Sequence, residues 1–76
     1  MNTASTRRYY IENPERISFE YDQLSDTLYM NFEGYEEEAD EEILSEDGDI
    51  AFRIKNGRIL SIMVLNLSRR IPLSSQ

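Results

Sequence analysis

The chain predicts a mostly-β fold: a single antiparallel sheet of about five short strands with a short C-terminal helical turn, or α+β if the tail is helical. Three observations carry that expectation. Apolar and polar residues alternate with a period of two in three separate stretches, the signature of half-buried strands. Turn signals join those stretches in pairs. The one segment whose Glu and Ala content favours helix, Tyr35 to Glu42, has too few apolar residues for a helical stripe.

Residues 1–14 form an N-terminal arm, expected to be flexible and to order against the domain or a partner, since Tyr9-Tyr10-Ile11 are its first apolar anchors and Pro14 follows. The domain proper is 15–71. Ile17, Phe19 and Tyr21 alternate with Arg16, Ser18 and Glu20 as the first strand, with the apolar set toward the core. Asp22-Gln23-Leu24-Ser25-Asp26 is turn chemistry, because Asp and Ser side chains hydrogen-bond nearby backbone. Leu28, Met30 and Phe32 alternate with Tyr29, Asn31 and Glu33 as the second strand. Gly34 ends it, and a loop leads to an edge-like third strand over Ala39 to Leu44, where charge discourages edge-to-edge pairing.

Asp47-Gly48-Asp49 is a turn, and Ile50, Phe52 and Ile54 alternate with Ala51, Arg53 and Lys55 in the fourth strand. Asn56-Gly57 accepts the positive φ of a type I′ hairpin. The fifth strand, Arg58 to Leu65, turns Leu60, Ile62 and Val64 to the core, and its other face holds Ile59, Ser61, Met63 and Leu65. A strand apolar on both faces needs cover on both. Asn66 or Ser68 is placed to cap a helical turn over Leu67 to Ile71, Pro72 stops it, and 72–76 are a polar tail.

Composition narrows the chemistry. Seventy-six residues make one domain. A core of that size supplies only about 3–5 kcal/mol of net stability. With no cysteine and no histidine, disulfides, thiolate metal sites and Ser-His or Cys-His catalysis are excluded. Oligomerisation is the remaining way to reinforce a small core. No cofactor is expected, the protein is read as non-enzymatic, and the absence of any apolar run of spanning length leads us to expect a cytoplasmic protein without membrane contact.

The net charge of −7 is concentrated: ten acids and no base lie between Glu33 and Asp49. Nucleic acid repels such a chain, so direct binding to it is not expected. Arg7-Arg8-Tyr9-Tyr10 neutralises too few phosphates to offset the acidic body and is read as a packing arm. Asp22 and Asp26 are read as turn residues rather than an acid–base pair, and Glu46-Asp47-Gly48-Asp49 lacks the ligand spacing of a calcium loop.

The order Tyr21-Asp22, then Asp26-x-Leu28-Tyr29-Met30, then an acidic strand, a glycine hairpin, Ile59-Leu60-Ser61-Ile62-Met63-Val64-Leu65 and Asn66-x-Ser68 resembles a bacterial family of domains of unknown function, number twenty-two eighty-three. The resemblance covers about Arg16 to Ile71. It implies a small antiparallel sheet with a C-terminal helix and an antitoxin-like role, because members are often encoded beside toxin-like ribonucleases. Two positions depart from the family: Met63 stands where members carry a charge, and Pro72 interrupts the C-terminal helix.

The functional expectation is therefore a homo-oligomeric, acidic protein–protein interaction module. Tyr29, Ile59, Met63 and Leu65 are the expected oligomer contact, and Glu37, Glu38, Glu41 and Glu42 the expected contact for a basic partner, steered by charge complementarity. The alternative is an acidic mimic of nucleic acid that inhibits a basic nuclease or DNA-binding protein, which requires a rigid row of carboxylates.

Overall fold

In the computed structural model, which describes residues 8–71, the alternating stretches become β1 (Ser18–Asp22), β2 (Thr27–Asn31), β3 (Glu41–Leu44), β4 (Ile50–Lys55) and β5 (Arg58–Leu65), followed by the one-turn helix α1 (Leu67–Arg70). They form one antiparallel sheet in the order β1-β2-β5-β4-β3. Two local hairpins build it. In the β1–β2 turn Asp22 Oδ1 accepts the Leu24 N–H at 3.0 Å. In the β4–β5 turn Asn56 and Gly57 both take positive φ (52° and 81°), the mirror-image turn that matches strand twist. β3 adds to β4 through the Asp47-Gly48-Asp49 turn, where Asp47 Oδ1 accepts the Asp49 N–H and the Ser45 hydroxyl.

Register sorts the side chains into two unlike faces. Phe19, Met30, Ile62, Phe52 and Ile43 form one row across all five strands, and Tyr21, Leu28, Val64 and Ile50 form the row beside it. All nine are uncharged. The other face carries Ser18, Asn31, Ser61, Arg53 and Glu42 in one row, and Glu20, Tyr29, Met63, Ala51 and Leu44 in the next.

The small Ala51, opposite Met63, is buried separately, and the core at the β4–β5 hairpin end contains Leu60, Ile54 and Phe32. The arm closes one side of it. Tyr10 bridges Arg58 in parallel, the Ile59 N–H donates to the Tyr10 carbonyl at 2.9 Å, and the Tyr9 hydroxyl donates to Glu41, which lies opposite Ile54. The β2–β3 connection holds the other side through Arg53, which donates to the carbonyls of Tyr35 and Glu37. A register shift between Arg53 and Ile54 pairs Ile54 with Ile59, and this local bulge accompanies the tight packing at that end.

Away from that end the core expected from the strands is incomplete. Leu60 is buried as expected, but Ile62 and Val64 are only half-buried, and Phe19 and Tyr21, expected to face inward, are 64% and 38% exposed. The reason is architectural: β1 is an edge strand, and among the described residues no further strand or long helix forms a second layer over the apolar rows. β3 is shorter than the expected 39–44, beginning at Glu41. The helical turn forms, yet neither Asn66 nor Ser68 caps it with a side chain. Asn66 adopts a left-handed conformation without a capping bond, and Asp26 from the β1–β2 turn accepts the Ser68 N–H and hydroxyl instead. Residues 1–7, which include Arg7 of the basic arm motif, and the expected stop and tail at 72–76 lie outside the described residues.

Candidate interaction surfaces

Glycine and charge shape the sheet's flank. The Arg58 guanidinium bonds the Glu33 carbonyl at 2.9 Å and Glu37 Oε2 at 2.8 Å, with Glu12 at 3.6 Å. Glu37 is the first cause holding the Arg58 pKa above its ordinary value. Gly34 lies against that guanidinium at φ 84°. Asn13 also donates to Glu33, fixing the arm to the β2–β3 connection.

The four acids expected to meet a partner are therefore divided. Glu37 pairs with Arg58 and Glu41 accepts from Tyr9, so both hold this chain's own loop and arm. Glu38 and Glu42 are exposed, and their carboxylates make no hydrogen bond or ion pair among the described residues. Glu41 and Glu42 are adjacent in β3 and alternate to opposite faces. The acidic run thus presents no single carboxylate row.

The expected oligomer residues are partly assembled. Tyr29 and Met63 are direct cross-strand neighbours, and Leu65 follows Met63 on the same face opposite Thr27. Ile59 sits at the bulge opposite Ile54, half-buried, with its N–H bonded to the Tyr10 carbonyl of the arm. What reading along single strands missed is the larger surface on the reverse face: nine uncharged side chains in two registered rows. The signal was present in the alternation. Its exposure depends on strand order, which local pattern does not give.

At the opposite end, two aspartates tie turns to α1. Asp26 accepts the Tyr21 hydroxyl at 2.6 Å and the Ser68 hydroxyl at 2.7 Å, and these bonds, Tyr21 first, hold its pKa below the ordinary value. The same bond to Asp26 is the leading cause raising the Tyr21 pKa. Asp47 is lowered from 3.8 to about 2, first by the Ser45 hydroxyl, then by the Asp49 N–H and the Arg70 guanidinium. These are structural ties. They answer the sequence question at both positions, since each aspartate organises a turn.

Among the described residues no helix is long and apolar enough to cross a membrane. A family model described as protein of unknown function, DUF2283, matches residues 18–68, from the first residue of β1 into α1, and so confirms the resemblance seen in the sequence. No curated protein and no solved structure gives a match.

Proposed function

This chain belongs to the DUF2283 family of proteins of unknown function, and we propose that it is a non-enzymatic interaction module that dimerises through the uncharged face of its sheet. One observation carries this reading: the rows Phe19–Met30–Ile62–Phe52–Ile43 and Tyr21–Leu28–Val64–Ile50 are registered and uncharged, and among the described residues two of the nine are exposed and seven only half-buried. A sheet with an apolar face is stable when that face packs on another layer. The matching layer for a two-fold assembly is the same face of a second copy, which gives two stacked sheets about 10 Å apart.

Size and charge both favour a second copy here over the reverse face. Five strands about 4.8 Å apart, each contributing roughly six residues at about 3.3 Å rise, give a flat footprint of roughly 500 Å². Side-chain relief brings this toward the lower edge of stable interfaces, about 600 Å² per partner. Two chains of charge −7 repel, and these rows bring no charge to the contact, whereas the reverse face would bring Glu20, Asp22 and Glu42 of both copies into it against one Arg53 from each. Pairing through the β1 edge would likewise bring Glu20 and Asp22 together, as charged edges discourage.

In this reading the dimer leaves Glu38 and Glu42 outward, available to steer a basic protein partner. That is the antitoxin-like role, in a cytoplasmic setting consistent with a chain lacking cysteine. The test is sedimentation over a concentration series for wild type, Phe52→Glu and Met63→Glu. A concentration-dependent wild-type dimer, lost in Phe52→Glu and kept in Met63→Glu, is the expected result. A wild type that stays monomeric at high micromolar concentration ends the proposal, and loss in Met63→Glu alone moves the contact to the Tyr29–Met63 face.

A further inference from the structure

The face away from the proposed dimer contact holds an open groove of about 830 Å³. Its floor is laid by register. Asn31, Ser61 and Arg53 stand side by side on β2, β5 and β4, and Tyr29 and Met63 stand in the adjoining row. Tyr35, from the β2–β3 connection, lines it as well. A polar strip therefore lies one strand repeat of two residues, roughly 7 Å, from an apolar strip.

The polar strip has unused bonding capacity. Arg53 Nη1 donates to the Tyr35 carbonyl at 3.1 Å and to Ser61 Oγ at 3.3 Å, and Nη2 donates to the Glu37 carbonyl at 2.9 Å. All three acceptors are neutral. Unlike Arg58 and Arg70, Arg53 has no carboxylate partner among the described residues, although Glu42 is its cross-strand neighbour. Nothing described accepts from its Nε, and Nη2, with two N–H groups, has one acceptor, so Nε–H and one Nη2 hydrogen remain for a carboxylate. Asn31 is only 9% exposed, and no described residue hydrogen-bonds its carboxamide. With no buried side-chain polar atom left unsatisfied, these donors reach solvent.

We propose that this groove binds a small monocarboxylic acid with an aromatic or aliphatic body, its carboxylate on Arg53 and Asn31 and its body over Tyr29 and Met63. A guanidinium clamped at three points keeps its fork oriented, so little side-chain freedom is lost when the carboxylate docks. Glu20 and Asp22 on the β1 side of the groove add negative charge, which disfavours phosphates and dicarboxylates and selects a single charge. Of the nine dimer-row residues only Tyr21, on the edge strand, also lines the groove, and Arg53, Asn31, Tyr29 and Met63 all stand on the opposite face.

Titration of the full chain with 3-phenylpropionate at constant ionic strength, followed by nitrogen–proton correlation spectra that include arginine Nε–H, tests the proposal. Saturable shifts are expected at Arg53 Nε–H and at the amides of Ser61 and Met63, with no saturable response to 3-phenylpropionamide or to inorganic phosphate. Arg53→Lys keeps a charge but loses the fork. Met63→Glu leaves the Arg53 clamp intact and removes the apolar strip. Each is expected to weaken binding at least tenfold, and the Glu37 amide position reports whether the loop stays in place. Shifts that grow linearly without saturating, an equal response to the neutral amide or to phosphate, or Met63→Glu binding like wild type would overturn it.

Discussion

At the residue scale, single side chains in this protein hold positions that backbone alone would not keep. Gly34 is the clearest case. At φ 84° a β-carbon would stand 2.5 Å from Arg58 Nη1 and 3.0 Å from Glu37 Oε2, whereas at Gly48, φ 77°, nothing lies within 4 Å. Both alanine variants meet left-handed strain, roughly 1–2 kcal/mol. Gly34→Ala also displaces the guanidinium that joins arm, loop and β5, so urea unfolding is expected to show it losing clearly more stability than Gly48→Ala. Equal losses would mean the Arg58 contact is dispensable. Asp47 gives a pH signature. Its folded pKa of about 2 lies below the ordinary 3.8, so it favours the folded state above pH 4, and that contribution disappears as pH falls through about 2. Asp26 acts in the same direction. Stability measured from pH 5 to pH 2 should fall less steeply in Asp47→Asn than in wild type, and parallel curves would refute the assignment.

At the element scale, what was legible in the sequence was local. The β1–β2 and β4–β5 hairpins follow from alternation plus Asp22 and Asn56-Gly57, whose turn chemistry acts over a few residues. The helical turn was legible as a pattern, but its cap was not, because Asp26 reaches Ser68 across 42 positions in sequence. The same distance hid the order β1-β2-β5-β4-β3, and with it the fact that Ile62 and Val64 are only half-buried while Leu60, at the end where the arm bonds β5, is fully buried. Glu37 and Glu41 read as free acids for the same reason, since Arg58 and Tyr9 are remote in sequence. The Asp26 tie predicts a separable defect. Asp26→Ala removes the bonds to Tyr21, Ser68 N and Ser68 Oγ at once. Hydrogen exchange should then speed up at Leu67 to Ile71 while the β4–β5 amides keep their protection. Uniform acceleration across the sheet would show that the helix is not a separate unit.

At the scale of the whole molecule, the buried apolar residues among those described are four: Phe32, Ile54 and Leu60 at the β4–β5 hairpin end, and the small Ala51 in the Tyr29–Met63 row of the other face. Such a core is too small to hold nine further apolar positions in register without help, which makes folding and association parts of one equilibrium if the uncharged faces pack together. Mass action then sets a measurable slope. For a dimer that unfolds to two chains, each tenfold rise in concentration adds about 1.4 kcal/mol per dimer, or about 0.7 kcal/mol per chain. A domain of this length shifts its Tm by roughly 4–8 °C per kcal/mol. Tm is therefore expected to climb by roughly 3–6 °C per tenfold increase in protein concentration, with the conversion resting on that same entropy scale. Phe52→Glu, which places a charge in the middle of the apolar row opposite Ile62 and Ile43, should lower Tm and abolish its concentration dependence together. Met63→Glu, on the groove face, should leave the slope intact. A wild-type Tm independent of concentration would separate folding from association and leave the apolar rows without the second copy that this reading assigns to them.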